Sequence, residues 1–385
     1  MQRTIRIRLT PSPTQAAALA ETSRLFTAAF NQFVRLGWDA KVGNATKLHY
    51  LAYYPVRESL PTLNSNLINT ARAKASESLR SAFALQEQER TVSMPQSDAC
   101  PPRYNVHTYR VDWESQTVRL SLVGARQTIR FTVPNYNAHY AGYPVDTADL
   151  INRNGVWWLH VVVTVPAPDV EPTDEVVGVD LGIAQPAVTS NNRFLGKPAW
   201  KAIEGRLFYL KRQLQRKGSK IAKRHLRKVK GKQARFRRDC DHVLSKQIVE
   251  SASPGATIVR ENLTDIRKRS KIRKQTGTSR RVHSWSFAQI KAFVAYKAEG
   301  RGCTVAGVDP RHTSQTCSCC GHQARNNRRS RGRFVCRVCG FELHADLNAA
   351  RNIAAKYHAD GGKAPVGGLP VNQPIVSVPT LRHRK

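Results

Sequence analysis

The sequence predicts a multidomain α/β protein, and three observations support that prediction. The chain has 385 residues, which suggests two or three domains at roughly 150 residues each. Hydrophobic residues make up 41% of it, enough for packed cores, so a wholly disordered basic polypeptide is excluded. The apolar period changes along the chain from strand-like to helical, returns to strand-like, and then alternates. A β region, a helical region and an α/β region are therefore expected in one protein.

The net charge of +35 indicates a polyanionic partner, most often nucleic acid. Most of this charge lies in residues 176–385, where 44 basic and 12 acidic residues give +32. No run of 18 apolar residues and no signal peptide is present, so we expect no membrane contact and a cytoplasmic location. Chemistry in the second half would therefore take place beside a bound polyanion.

The first half combines a strand, a helical stretch and a β region. Residues 2–8 alternate apolar and basic side chains, which predicts a strand. Helical spacing follows from residue 14 to residue 89, and Pro55 and Pro61 are expected to divide it into several helices. Between residues 103 and 166 the period is two, and we expect the first strand to pair with these later strands around the helical insert.

The second half contains few acids, and three of them stand at notable positions. Asp180 is the single acid in an apolar strand that begins at Val176, and Glu261 ends a second strand that begins at Thr257. Between these strands, residues 201–250 predict a long basic helix pair. Asp346 opens a short Ala-rich helix. Taken singly, these acids could be a strand-end turn (Asp180), a salt-bridge partner (Glu261) and a helix N-cap (Asp346).

The cysteines predict a zinc site. Two Cys-x-x-Cys pairs, Cys317/Cys320 and Cys336/Cys339, are each followed by glycine, and four thiolates satisfy tetrahedral Zn²⁺. Two disulfides would fit an intracellular chain poorly. Cys319 lies inside the first pair and is expected to be spare, although a register that uses Cys319 as a ligand stays open.

Taken together, the three acids indicate ribonuclease H-like chemistry. Two strands and a helix that each contribute a carboxylate could hold two Mg²⁺ ions, or Mn²⁺, about 3.5–4 Å apart. Such a pair would activate water and stabilise the leaving oxygen of a phosphodiester.

Four sequence motifs resemble the TnpB (OrfB) family of IS200/IS605-type insertion sequences. Gly178–Gly182, Val259–Leu263 and Asp346–Ala350 resemble the three RuvC motifs of that family, and Thr313–His322 resembles its zinc-ribbon signature. The opening Arg8–Pro11, followed by a helix containing Asn31, is also similar. Arg260 and Cys319 depart from the family pattern, but neither departure removes a ligand.

The resemblance implies a fold and a set of domain boundaries. The expected architecture is a RuvC-like (ribonuclease H-like) nuclease with an inserted zinc ribbon, plus a wedge β-barrel interrupted by a helical recognition segment. The implied boundaries are wedge strand 1–10, helical recognition segment 11–102, wedge barrel 103–172, nuclease with basic helices 173–310, zinc ribbon 311–342, third nuclease motif 343–360 and disordered tail 361–385.

The resemblance also implies a function: an RNA-guided DNA endonuclease related to the type V CRISPR effectors. Asp180, Glu261 and Asp346 would be its catalytic metal ligands for Mg²⁺, with structural Zn²⁺ on the four paired cysteines. Guide RNA and double-stranded target DNA would be its partners, with a short flanking DNA motif recognised by a monomeric protein. Three alternatives stay open: a compact type V CRISPR effector, a guide-directed DNA-binding protein with little cleavage, and a transposase that joins strands.

Basic side chains are expected to bind the phosphates. About half of them should instead lie on solvated faces, because a helix turns only one side towards a groove. Trp157 and Trp158 could stack on bases, but strand neighbours face opposite ways, so at least one should be core. The candidate phosphate-binding residues are Lys211, Arg212, Arg216, Lys220, Arg224, Arg227, Arg235, Arg237, Arg267, Arg269, Lys271 and Arg273.

Overall fold

The computed structural model describes residues 1–182, 185–263, 286–330 and 332–362. The chain forms two compact units, one of residues Met1–Pro166 and one that begins at Ala167. The predicted phosphate-binding residues Arg267, Arg269, Lys271 and Arg273, and most of the predicted disordered tail, lie outside the described residues. None of the described helices has an apolar stretch long enough to reach across a lipid bilayer.

The first unit is built on a seven-stranded antiparallel sheet. Its strands are β1 (Gln2–Thr10), β2 (Arg103–Tyr104), β3 (Tyr109–Asp112), β4 (Thr117–Ser121), β5 (Arg126–Thr132), β6 (Val145–Arg153) and β7 (Val156–Thr164). Their order is β2-β6-β7-β1-β5-β4-β3. β1 pairs with both β7 and β5, which confirms the pairing predicted for the first strand. Trp157 is buried and Trp158 is half-buried, so at least one of the two is core, as predicted.

The strand order of this sheet is open, whereas the expected barrel would have a closed one. Its ladder has two edges, β2 and β3, and β2 is only two residues long. The edge strands are consecutive in the chain, and the Tyr109 hydroxyl on β3 donates to the Asp146 carbonyl on β6 at 3.2 Å. One side-chain hydrogen bond therefore joins β3 to β6, whereas a closed barrel would have a continuous series of backbone hydrogen bonds between its first and last strands.

Three helices lie between β1 and β2: α1 (Pro13–Asp39), α2 (Ala45–Ser59) and α3 (Ser65–Gln86). A capping box of Ser12 and Gln15 begins α1. α2 ends just before Pro61, as expected, whereas Pro55 lies inside α2 and does not divide it. Pro55 cannot donate to the carbonyl four residues earlier, which belongs to Leu51, an exposed residue of α2.

The second unit contains a five-stranded sheet with the order β10-β9-β8-β11-β12. The strands are β8 (Val176–Asp180), β9 (Ala187–Thr189), β10 (Phe194–Leu195), β11 (Thr257–Glu261) and β12 (Thr304–Val308). β8, β11 and β12 are parallel, so their carboxyl ends meet at one edge of the sheet. The two acid-bearing strands of the sequence are therefore direct neighbours.

Helices cover both faces of this sheet. They are α4 (Ala199–Lys217), α5 (Lys220–Glu250), α6 (Phe287–Glu299) and α7 (Ala345–Ala359). Val177, Val179 and Ile258 pack with side chains of α5 and α6 on one face. On the other face, Val259 packs with Ile353 of α7. The predicted helix pair is present as α4 and α5, joined at Gly218, whose φ of 62° suits glycine.

A small β hairpin with β13 (Arg333–Val335) and β14 (Glu342–His344) stands between β12 and α7. Its Phe334 is fully buried with Cys317, Cys336 and Ala345, the first residue of α7. β14 passes directly into α7, so the cysteine-bearing segment and the last helix form one continuous structure.

Candidate active site and zinc centre

Asp180 and Glu261 occupy equivalent places on neighbouring strands. β8 and β11 are in register with Val179 opposite Arg260, so the following residues, Asp180 and Glu261, both lie at the carboxyl edge. Strand side chains alternate, and Val259 on β11 faces α7. Glu261, two residues on, therefore faces α7 as well, and Asp180 faces the same way because Val177 and Val179 face α5 and α6.

Gly178 lets α7 approach this face closely. A Cβ added at Gly178 would lie within 3.0 Å of the Ala350 carbonyl oxygen and 2.7 Å from the Ala354 nitrogen, both on α7. Only a residue without a side chain leaves room for the helix backbone there. The glycine two residues before Asp180 therefore sets how near α7, and with it Asp346, lies to the strand carboxylates.

Asp346 lies in the first turn of α7 and is not its N-cap. The N-cap is His344, whose Nδ1 accepts from the Asp346 backbone nitrogen at 3.3 Å. The N-cap interpretation weighed for Asp346 is thus wrong, because the N-cap lies two residues earlier, at His344. The Asp346 side chain is largely buried and accepts from Nη2 of Arg328 at 2.8 Å.

Glu261 and Asp346 both act electrostatically on Asp180. Burial, followed by repulsion from Glu261 and Asp346, raises the pKa of Asp180 to about 8, against an opposing contribution from Arg328. Burial also raises the pKa of Glu261, while a hydrogen bond from Thr313 opposes that rise. Repulsion from two neighbouring carboxylates places Asp180 in a cluster of negative charge, which a bound cation would stabilise.

The donor set suits a hard divalent cation. Asp180, Glu261 and Asp346 offer only carboxylate oxygens, which Mg²⁺ and Mn²⁺ prefer. The carboxylate oxygens lie less close together than the cysteine sulfurs. Among the described residues, the cysteines form the group whose ligand atoms all lie within 4.8 Å of one another. Arg328 holds one Asp346 oxygen in this arrangement.

The four paired cysteines come together in a cluster that fits the predicted zinc site. The Sγ atoms of Cys317, Cys320, Cys336 and Cys339 all lie within 4.8 Å of one another. Cys317 and Cys339 are 3.7 Å apart at sulfur, and Cys320 and Cys336 are 3.6 Å apart. Sulfurs about 2.3 Å from a tetrahedral Zn²⁺ stand about 3.8 Å from each other, so the spacing fits the metal and not a disulfide.

The two cysteine turns have the same backbone hydrogen bonds. Each first cysteine, Cys317 or Cys336, accepts from the glycine four residues later and donates to the carbonyl five residues later. Both glycines, Gly321 and Gly340, have positive φ, at 76° and 72°. Cys319 is exposed and outside the ligand group, which answers the open question of register in favour of Cys320.

Three polar residues that the sequence analysis did not single out connect the two centres. The Thr313 hydroxyl donates to Oε1 of Glu261 at 2.5 Å. Asn348 and Asn352, one helical turn apart on α7, bind the backbone of residues 313–318. The sequence did hold a signal for the two asparagines: they stand at i and i+4 in a helix otherwise rich in alanine. Side-chain amides on the buried face of a helix need hydrogen-bond partners, so this pair indicates a contact with another segment.

The predicted phosphate-binding residues of α4 and α5 divide into two groups. Two are occupied within the protein: Lys211 donates to Gln233 at 2.9 Å and Arg237 to Glu204 at 2.6 Å. The other six are exposed: Arg212, Arg216, Lys220, Arg224, Arg227 and Arg235. Nucleic-acid binding by these six stays a prediction.

Two family models match separate parts of the chain. OrfB_IS605, described as "Probable transposase", matches residues 160–255. The model described as "Cas12f1-like, TNB domain" matches residues 287–353, which contain the zinc centre and Asp346.

Curated relatives and solved structures agree with these matches. The CRISPR-associated endodeoxyribonuclease Cas12f1 of Sulfoacidibacillus thermotolerans is 30% identical over 236 residues, covering 55% of this chain and 53% of that protein. InsQ of Escherichia coli (strain K12), named as a candidate RNA-guided DNA endonuclease, is 31% identical over 224 residues, covering 53% and 55%. The chain thus spans about half the length of these relatives.

The structural similarity covers more of the chain than the sequence matches do. A Cas12f1 chain from a complex with sgRNA and target DNA superposes with a TM-score of 0.64 at 16% identity, covering 88% of this chain and 81% of that one. The mini-RNA-guided endonuclease Cas_phi3 gives a TM-score of 0.56 at 9% identity, covering 96% and 94%. Two segments of the chain thus match the OrfB_IS605 and Cas12f1-like TNB models, and about half of the chain is similar in sequence to Cas12f1 and InsQ.

Proposed function

We propose that this protein is an RNA-guided DNA endonuclease that hydrolyses phosphodiester bonds of target DNA. The observation that carries the proposal is the arrangement of Asp180, Glu261 and Asp346. Two parallel strands place the first two at one sheet edge, and α7 brings the third to the same face. Relatives named as DNA endonucleases support the same function.

The three carboxylates would hold the catalytic cations. Two bound Mg²⁺ ions would supply an activated water and stabilise the leaving 3′ oxygen. The protein's own part is to fix the oxygens on a rigid sheet edge and helix, in a site whose burial strengthens the field of each charge.

The surrounding basic surface would bind the nucleic acids. The six exposed bases of α4 and α5 suit a contact that depends on phosphate charge and not on sequence. Guide RNA would select the target by base pairing, while the protein recognises a short flanking motif and the shape of the heteroduplex. The zinc centre would hold the hairpin that leads into α7.

The catalytic assignment is tested by the Asp180→Ala substitution. We expect it to abolish cleavage of target DNA by the assembled ribonucleoprotein, while RNA binding and bound zinc stay unchanged. Asp239→Ala, which removes an exposed acid of α5, is the matched control and should cut at the wild-type rate. Near-normal cleavage by Asp180→Ala would refute the assignment, and binding without cutting by the wild type would favour the guide-directed binding protein.

The RNA partner and its origin are tested by purifying the protein from its native host and sequencing the RNA that accompanies it. A discrete RNA from the end of a mobile element is expected. Repeat-derived RNA would indicate a CRISPR effector instead, and absence of any discrete RNA would refute guidance. Sequencing of the DNA ends distinguishes hydrolysis, which leaves free ends, from strand transfer, which joins them.

A further inference from the structure

The loop that leads into the zinc centre also contacts the candidate active site. This junction loop, defined here as residues 313–318, begins at Thr313 and contains Cys317, the first zinc ligand. Thr313 is 2% exposed, and its hydroxyl lies 2.5 Å from Oε1 of Glu261. One residue of the loop therefore touches a candidate catalytic carboxylate, and another, four positions on, would bind zinc.

The Thr313 hydroxyl donates its proton to the carboxylate of Glu261. It lies 3.2 Å from the Pro310 carbonyl and 2.5 Å from Glu261, and a hydroxyl has only one proton to donate. The shorter bond to an ionised acceptor is the stronger of the two. It fixes one oxygen of Glu261 and leaves Oε2 as the oxygen available to a cation.

Buried amides of α7 hold the junction loop in place. Asn348 is fully buried, donates to the Thr316 carbonyl at 2.8 Å and accepts from the Ser318 nitrogen at 3.0 Å. Asn352 donates to the carbonyls of Thr313 and Thr316 at 2.8 and 2.7 Å. Because these groups have no access to water, losing either partner would leave a buried polar group unsatisfied. The loop is thus fixed to the helix that bears Asp346.

A third side chain of α7 contacts the segment just before the loop. Lys356 donates to the backbone carbonyls of Asp309 and Arg311, and its charge lowers the pKa of Glu261 against the larger effect of burial. Together with the two amides, it binds the chain from residue 309 to residue 318 along the length of α7. Movement of Thr313 away from Glu261 would break several of these bonds at once.

We propose that Thr313 is a positioning residue for Glu261, and that the junction loop joins the zinc centre and the carboxylate site into one hydrogen-bonded unit. This inference rests on the proposed function, since it concerns the metal-binding geometry of the same carboxylates. Thr313 holds Glu261 in the orientation that receives the cation. Loss of a group that orients a metal ligand in this way typically weakens metal binding by about 10- to 100-fold.

The test measures metal binding directly on the full chain. Mn²⁺ is titrated into the purified protein, and free Mn²⁺ is followed by electron paramagnetic resonance, with bound zinc determined in parallel. Thr313→Val removes the hydroxyl and should weaken Mn²⁺ binding by about 10- to 100-fold without loss of zinc. Thr313→Ser keeps the hydroxyl and removes the methyl group, and it should retain most of the Mn²⁺ affinity of the wild type. If Thr313 acted only through the packing of its methyl group, Thr313→Ser would lose that affinity.

A matched control removes a threonine hydroxyl outside the loop. The Thr10 hydroxyl donates to the Arg130 carbonyl at 3.0 Å in the first unit, so Thr10→Val should leave Mn²⁺ affinity unchanged. If Asp180→Ala abolishes Mn²⁺ binding and Thr313→Val does not weaken it, the positioning role is overturned while the site stands. If Asp180→Ala has no effect on Mn²⁺ binding, the carboxylate site fails, and with it both the proposed function and this inference.

Discussion

Replacing Gly178 by alanine should separate α7 from the sheet and impair both stability and cleavage. The added Cβ would lie 2.7 Å from the Ala354 nitrogen and even closer to the Ala350 carbonyl oxygen. Ordinary contact begins at 3.4 Å, so the helix would have to withdraw by about 0.7 Å, the difference between 3.4 and 2.7 Å, or more. Both obstructing atoms are backbone, so no side-chain rotation can relieve the clash.

The expected loss of stability follows from that overlap. Forcing an extra methyl group into a packed interior costs about 1–3 kcal/mol, occasionally more. A domain of 150–250 residues loses roughly 2–4 °C in Tm per kcal/mol, so the unfolding temperature should fall by several degrees or more. Cleavage should fall as well, because α7 carries Asp346 away from Asp180.

Thermal unfolding of the full chain, monitored by calorimetry, measures the change, and Gly205→Ala provides the control. Gly205 lies within α4 with nothing inside 4 Å of an added Cβ. Alanine there should stabilise by about 0.5–1 kcal/mol, because glycine is unfavourable in a helix interior. A Gly178→Ala protein that unfolds at the wild-type temperature and cuts DNA normally would refute the proposed close approach of α7 to β8.

Three further predictions concern zinc, pH and salt. Cys320→Ser should lose the bound zinc, whereas Cys319→Ser should keep one zinc per chain by metal analysis; the reverse result would place Cys319 in the ligand set. Burial raises the pKa of Asp241 to about 6 from 3.8, so its ionisation lowers the stability of the folded chain as pH rises from about 4 to 6. Asp241→Asn can still accept from Ser286, and its unfolding free energy relative to wild type should increase across that pH window and then level off; a parallel pH dependence would contradict this. Replacing the exposed Arg224 and Arg227 together by Gln should reduce the slope of log affinity against log salt by about 2 for nucleic-acid binding, with little change in sequence preference. An unchanged slope would exclude these two arginines from the phosphate contacts.

Local patterns were sufficient to predict most elements of the fold. Alternation in residues 2–8 predicted β1, and the helical period across residues 201–250 predicted α4 and α5, which the structure confirms. These predictions succeed because a burial pattern repeats with the period of the element itself. Pro55 was wrongly expected to end a helix: it lies inside α2, and Leu51, the residue whose carbonyl loses its helical donor, is exposed.

The four-cysteine cluster could be predicted because its chemistry is concentrated in a short segment. Two Cys-x-x-Cys pairs determine the ligand type and spacing, and the sulfur positions agree with them. The choice between Cys319 and Cys320 required the backbone, since only the turn that places Gly321 at positive φ decides which thiol faces the other pair.

The sequence by itself determined the residue types that this chemistry needs: three acids on apolar strands and a helix start, four paired cysteines, and a basic half. The tertiary structure alone decided how they meet. The parallel register sets Asp180 beside Glu261, Gly178 admits the α7 backbone, and Thr313, Asn348 and Asn352 tie the zinc loop to Glu261. These contacts join residues 32 to 176 positions apart, and no local period or propensity encodes a contact between segments so distant in the chain.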